Sequence, residues 1–293
     1  MEGVFVAGAA IAAGRVTRHE LKRWYRPLYR GIYLPKHSTP TLRDRATAAW
    51  LASGRTGVIA GVAASGLHYA EWVDDDIDID LIDGTMRKQP GLIVHDETLR
   101  DDEITQAGRI PVTTPARTAY DLGRLLPRGD ALARLDALAR ARSLRAEDVL
   151  LIAEHHKGAR GLRRLRSVLP LIDAGAASPK ETGLRLLLID AGLPIPTTQI
   201  PVCDRGYRPF AFLDWGYRPL AGEGWEEYLV SAEYDGDQHR KDRLQYVRDH
   251  KRQRKLEALG RNNIRVINED DPAEVIARVT AALRSRGWRP GRN

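Results

Sequence analysis

Acids stand where a core strand should carry apolar residues. Leu229–His239 reads LVSAEYDGDQH, and Phe212-Leu213-Asp214 lies just ahead of it. Alternate side chains of a strand share a face. Val230, Ala232 and Tyr234 therefore point one way, and Ser231, Glu233 and Asp235 the other. Two carboxylates on one face repel each other unless a cation sits between them. Gly236 ends the strand, and His239 arrives close by. Carboxylates converging from neighbouring strands are what a hard divalent ion such as Mg²⁺ or Mn²⁺ requires.

These acids need elements to hold them. Ser178-Pro179-Lys180-Glu181 is a cap with Pro in the first turn and Glu181 at the capping-box position, opening a helix to Ala191. Strands are expected at Gln199–Val202, Phe210–Asp214 and Leu229–Asp235. A helix from His239 to Leu259, a strand over Asn263–Asn268 and a helix capped at Asp271-Pro272-Ala273-Glu274 complete the order α-β-β-β-α-β-α. On the helix after His239, Asp242, Gln245, Asp249 and Arg252 fall on one face. Residues 239–256 hold 8 Lys/Arg against Asp242 and Asp249, a face suited to tracking phosphates.

This order resembles the PD-(D/E)XK nuclease superfamily, and within it the very-short-patch repair endonuclease-like branch. The likeness rests on S-P-K-E at 178–181, F-L-D at 212–214, A-E-Y-D-G-D-Q-H at 232–239, D-H-K-R-Q-R-K-L-E-A-L-G at 249–260 and the I-R-V-I that follows. It implies a restriction-endonuclease-like domain that hydrolyses phosphodiesters with Mg²⁺ or Mn²⁺. Asp214 and Glu233 would hold the metal, with Glu181 reaching in from the first helix. Asp235 stands where many members carry Lys, a departure that puts the usual Lys role in doubt. His239 is suited to replace it in acid–base work. Asp249 matches an acid that the repair-endonuclease-like branch uses near the scissile site, and Arg252 is placed to neutralise a phosphate.

The front of the chain suggests a winged helix-turn-helix over 5–35. A short helix Val6–Ala13 ends at Gly14, and Thr17-Arg18-His19-Glu20 is a capping box opening a helix through Trp24. Leu28-Tyr29-Arg30-Gly31-Ile32-Tyr33-Leu34 reads as a hairpin wing turning at Gly31. Arg15, Arg18, Lys22, Arg23, Arg26 and Arg30 would supply phosphate contacts, chiefly Arg18, Lys22, Arg23 and Arg30. An ordinary helical pair with a solvated basic face is the alternative.

Between these ends lie helices at Leu42–Ala52 and from Gly61, and strands at Ile77–Ile82 and Gly91–His95. Asp78 and Asp80 in IDIDLID suggest an edge strand protected by charge. In IPVTTPARTAYDLGRLL, Thr114 caps, Pro115 sits in the first turn, and Arg117 and Asp121 are spaced to pair on a structural helix. Residues 131–169 are helical, broken near Gly158 and Gly161, and Asp173–Ala177 reads as a linker. R-G-I-Y-L at 30–34, the helix after Gly61 and T-T-P-A-R-T-A-Y-D-L at 113–122 resemble the AbiEi-type antitoxin and regulator proteins, which implies a DNA-binding N-terminal winged helix.

With 293 residues, two or three domains are expected: 1–40 winged helix, 41–175 mixed α/β, 176–293 endonuclease-like. The fold class is mixed α/β. A net charge of +7 points to a polyanion, and DNA is the expected partner. Cys203 is the only cysteine, which excludes an internal disulfide and multi-cysteine zinc sites and fits a reducing compartment. The apolar start VFVAGAAIAAG is short and lacks a basic flank, so a soluble, cytoplasmic protein is expected. The oligomeric state stays open, a homodimer included. Three functions compete: a metal-dependent DNA endonuclease, nicking mismatched or modified DNA and guided by its winged helix; a non-catalytic DNA-binding, antitoxin-like repressor with a degenerate nuclease domain; and, third, an RNA-directed nuclease, against which the few aromatics in the basic stretches argue.

Overall fold

The computed structural model describes residues 3–203, 209–216, 228–234 and 243–290. Asp235, His239 and Asp242 lie outside the described residues; for Asp214, Gln245 and Asp249 the description extends to the strand or helix that carries them. The chain is mixed α/β and forms two compact units, Met1–Ile172 and Asp173–Asn293.

The first unit opens with β1 (Phe5–Val6), α1 (Ala7–Ala12), α2 (Arg18–Trp24), β2 (Tyr25–Tyr29) and β3 (Ile32–Pro35). Two short helices and a hairpin result, with β3 between β1 and β2. The expected capping box starts α2: Thr17 Oγ1 accepts from the Glu20 amide, and the Thr17 amide donates to Glu20 Oε2 at 2.8 Å. Gly31 turns the hairpin at φ +78°, a conformation that a side chain would strain. Phe5, Ala10, Val16 and Leu21 form a small core beneath α1 and α2.

The hairpin also joins a larger core. Tyr29 and Ile32 pack with Leu42, Ile59, Leu81 and Val112. These come from α3 (Leu42–Ala52), β4 (Val58–Ile59), β5 (Ile79–Ile82) and β8 (Ile110–Thr113). With β6 (Leu92–His95) and β7 (Ile104–Ala107), the strands form a sheet of order β6-β5-β4-β8-β7. The β7–β8 hairpin and the two-residue β4 are too short for periodicity to show.

Strand β5 differs from the edge strand that IDIDLID suggests. It lies inside the sheet between β6 and β4, and all four of its residues are buried. Its acid is tolerated because parallel β6 brings a partner alongside: His95 Nε2 lies 2.8 Å from Asp80 Oδ1.

Helices α4 (Gly61–Leu67) and α5 (Pro115–Leu125) pack on this sheet, and α6 (Arg128–Ala141), α7 (Ala146–His155) and α8 (Leu162–Val168) gather around α5. Helix α5 packs against the other four, and Tyr120, Leu122, Leu135, Leu138, Val149 and Leu165 are buried there. Gly161 begins α8 at φ +90°; a Cβ there would sit 2.1 Å from the Arg124 carbonyl oxygen.

The second unit has the expected order of elements. Helix α9 (Pro179–Asp190) precedes β9 (Thr197–Cys203), β10 (Pro209–Gly216) and β11 (Val230–Tyr234); α10 (Arg243–Ala258), β12 (Asn262–Val266) and α11 (Pro272–Ser285) follow. The sheet runs β12-β11-β10-β9, with β12 parallel to β11 and the other pairs antiparallel. Val230 and Ala232 lie in the core with Leu188, Ile264 and Val279, and Tyr234 packs against them, as the alternation predicts.

Candidate nucleic-acid interface and acidic centre

Helix α2 carries the basic face. Arg18, His19, Lys22 and Arg23 are exposed, and Leu21 alone on the helix is buried. Arg15 precedes it and Arg30 sits exposed at the hairpin tip. Glu20 is the one acid on α2; it is tied into the cap, and the Thr17 amide holds its carboxyl below the usual range. Lys36 Nζ donates to the Lys22 carbonyl at 2.7 Å, fixing the end of α2 to the hairpin. Arg26 instead donates to the Ser38 carbonyl oxygen at 3.0 Å. The two helices and the hairpin occupy the segment read as helices and wing, and the cations expected on it at Arg18, Lys22, Arg23 and Arg30 face solvent.

The wing is fastened to the rest of its unit. The Arg30 amide donates to Gln89 Oε1 at 3.0 Å, and Tyr29 Oη donates to the Gly91 carbonyl at 3.1 Å. Burial pushes the Tyr29 phenol up to about 12, so it keeps its proton at any physiological pH.

Behind the sheet lies a buried ion network that the sequence shows only in part. The Arg117 side chain is 0% exposed. It reaches Asp121 at 3.1 Å, Glu97 at 2.8 Å and Glu103 at 2.5 Å. Arg124, one turn on, bonds Asp121 at 2.9 Å and Glu97, and both guanidinium groups lie over the Tyr120 ring. His156 meets Glu103 at 2.6 Å. Burial pushes the Asp121 carboxyl up against the opposing pull of both arginines. The pairing of Arg117 with Asp121 is legible as an i, i+4 spacing; Glu97, Glu103 and His156 arrive from distant segments and carry no local signal. Each guanidinium meets several carboxylates, so this cluster serves the fold and offers little to an anion.

In the second unit, Glu233 and Glu181 have different surroundings. Glu181 is buried at the start of α9, where Oε2 accepts from the Ala177 amide at 2.9 Å and Oε1 from Ser178 Oγ at 2.9 Å. Both oxygens are engaged by its own helix start. Glu233 on β11 is also buried. Its Oε2 accepts from Arg252 on α10 at 2.6 Å and from Asn263 on β12 at 3.0 Å. Its Oε1 is buried without a hydrogen-bond partner among the described residues. The β10–β11 ladder pairs Trp215 with Ala232 and Gly216 with Ser231. Run one residue further, that register sets position 214 opposite 233. Among the described residues, no group of three or more His, Cys, Asp and Glu is arranged to hold a metal. The acidic donor seen there among the described residues is one buried carboxylate, Glu233, with Oε2 engaged by Arg252 and Asn263 and Oε1 without a partner.

Across the described residues no helix is long and apolar enough to cross a membrane. Residues 46–171 of this mixed α/β chain match the AbiEi antitoxin C-terminal domain family. The chain belongs to the same family as the uncharacterized proteins MT2308 and Rv2248 of Mycobacterium tuberculosis. Each is 31% identical over 267 residues, which span 89% of this chain and 91% of the relative. No solved structure matches.

Proposed function

We propose that the protein is a DNA-binding regulator of the antitoxin type. The observation that carries this reading is the exposed, capped α2, whose Arg18, Lys22 and Arg23 face solvent beside a wing bearing Arg30. Cations on a short helix next to a wing suit the phosphates that position such a helix in a groove. The family match over 46–171 lends the antitoxin half of the reading. Binding of this kind needs no metal. In a gel-shift with EDTA present, the wild type should retard duplex DNA and R18A/K22A should not; equal retardation by both would reject α2 as the reading element.

A second reading, a Mg²⁺- or Mn²⁺-dependent endonuclease, is supported by Glu233 Oε1, unpartnered among the described residues, and by a β10–β11 register that, extended by one residue, sets position 214 opposite 233. Directly opposed positions of an antiparallel pair share a face. A bound ion would polarise a phosphate oxygen and lower the pKa of an attacking water. Asp214 and Glu233 would hold it, Glu181 and Asp235 would support the site, and His239 with Asp249 would handle protons. Arg252, already on Glu233, would lie beside a phosphate. Mg²⁺-dependent cleavage of duplex DNA by the wild type but not by D214A supports this reading; no cleavage with either metal removes it and leaves the first intact.

A further inference from the structure

Beside the wing lies a cleft of about 380 Å³ lined by Arg30, Ser53, Thr85, Arg87 and Lys88, with no carboxylate among its lining residues. Three cations thus come from two separate segments, the wing tip and the loop 83–89. Arg30, Arg87 and Lys88 are all exposed. The Ser53 hydroxyl donates to the Trp50 carbonyl at 2.8 Å, and its oxygen accepts from the Gly57 amide at 3.0 Å, which fixes that wall.

The loop is held in shape by Asp83. Its Oδ1 accepts from the Thr85 amide and Thr85 hydroxyl at 2.8 Å and from the Met86 amide at 2.9 Å. Its Oδ2 accepts from Thr56 Oγ1 at 2.7 Å. Burial works against the Asp83 charge, but these bonds outweigh it and hold the carboxyl below its usual range. Asp83 is therefore engaged beneath the loop, and Asp96 stands beside Gly84, outside the cleft lining. The opposite end of the loop is tied to the wing through Gln89 and the Arg30 amide.

We propose that this cleft holds a backbone phosphate of the DNA engaged by α2, extending the footprint from helix and wing onto the loop 83–89. The inference rests on the DNA-binding reading above. Three cations converging from two segments, on walls already fixed by hydrogen bonds, match the charged oxygens of a phosphodiester. A free phosphate or mononucleotide shares that chemistry, but the cleft opens beside the wing, where the duplex backbone would pass.

The test is fluorescence anisotropy of a labelled random-sequence duplex titrated with full-length protein over a KCl series. Variants are R87A/K88A, the charge-retaining R87K/K88R, and R18A/K22A. Because both loop residues are exposed, the alanine pair should fold as the wild type does. The expected result is an affinity about tenfold weaker for R87A/K88A, with a log–log salt slope smaller by about 1, as loss of one phosphate contact requires. R87K/K88R should bind nearly as the wild type. A parallel arm measures the thermal shift given by inorganic phosphate and by AMP. Unchanged DNA affinity and slope in R87A/K88A, while R18A/K22A loses binding, overturns the cleft assignment and keeps the α2 reading. Phosphate stabilisation that depends on Arg87 and Lys88 without any change in DNA binding assigns the cleft to a free anion and also overturns it. A wild type that binds no duplex overturns the DNA reading itself, and the cleft's role falls with it.

Discussion

The backbone amide of Arg30, at the tip of the wing, donates a hydrogen bond to Gln89 Oε1 at 3.0 Å. The bond joins the hairpin to a loop 59 positions away, and Tyr29 Oη adds a second tie to Gly91. The wing therefore shares its support with the sheet domain that matches the antitoxin family. Tyr29→Phe removes the donor and leaves the Gly91 carbonyl without it. A loss of about 1 kcal/mol is expected, which lowers Tm by about 2–4 °C for a unit of this size. Thermal unfolding followed by circular dichroism checks this; an unchanged Tm would show that the tie contributes nothing.

Arg117 is fully buried among Asp121, Glu97 and Glu103. Arg117→Ala leaves those carboxylates facing one another with only Arg124 and His156 to offset them. The expected loss is about 3–5 kcal/mol, typical of breaking a buried ion pair from one side. Urea unfolding of the full chain measures it. A loss under about 1 kcal/mol, the range of surface pairs, would mean that water enters the cluster and the network is loosely held.

His95 gives a pH dependence of known sign. The hydrogen bond and charge of Asp80, with Glu97 and Asp121 nearby, raise its pKa in the folded protein against the opposing effect of burial. The folded state thus holds this proton more tightly than the unfolded chain. Stability from the pair is complete below about 6.5, the ordinary His value, and is lost as pH rises through the raised folded value. Buried His68 works the other way, because burial lowers its pKa. The measurement is therefore the Tm difference between wild type and His95→Gln. It should be larger below the ordinary His value than in alkaline buffer; a difference independent of pH would contradict the assignment.

Glu233 and Arg252 should be coupled. R252A leaves a buried carboxylate with Asn263 as its remaining donor, while E233Q in the same background removes the stranded charge. A double-mutant cycle in urea should give a coupling of about 1–3 kcal/mol. Strict additivity would show that the 2.6 Å contact is energetically silent.

The parts of this fold that were legible are those whose signals are local. Thr17 with Glu20 marked the start of α2, Gly31 marked the wing turn, and the alternation Val230, Ala232, Tyr234 marked the core face of β11. Ser178 and Pro179 marked α9 in the same way. Signals that depend on distant partners were hidden. IDIDLID looked like a charged edge because nothing near Asp80 in sequence announces His95 on the neighbouring strand. Glu97, Glu103 and His156 gave no hint of convergence on Arg117, since each arrives from a separate element. Glu181 showed its cap in sequence, and both of its oxygens are engaged there. Of the proposed acidic centre, Glu233 is buried with Oε1 unpartnered among the described residues, and the remaining acids stay a proposal.

The central claim is that α2 and its wing grip DNA through phosphates without a metal. The most direct measurement is equilibrium binding of the full chain to duplex DNA in EDTA, wild type against R18A/K22A/R23A, across a range of KCl concentrations. Tight, salt-sensitive binding is expected of the wild type, with a log–log salt slope smaller by about 3 in the triple variant, one phosphate contact per removed cation. Identical affinity and slope for the two proteins, or wild-type binding that appears only when Mg²⁺ is added, would contradict the claim.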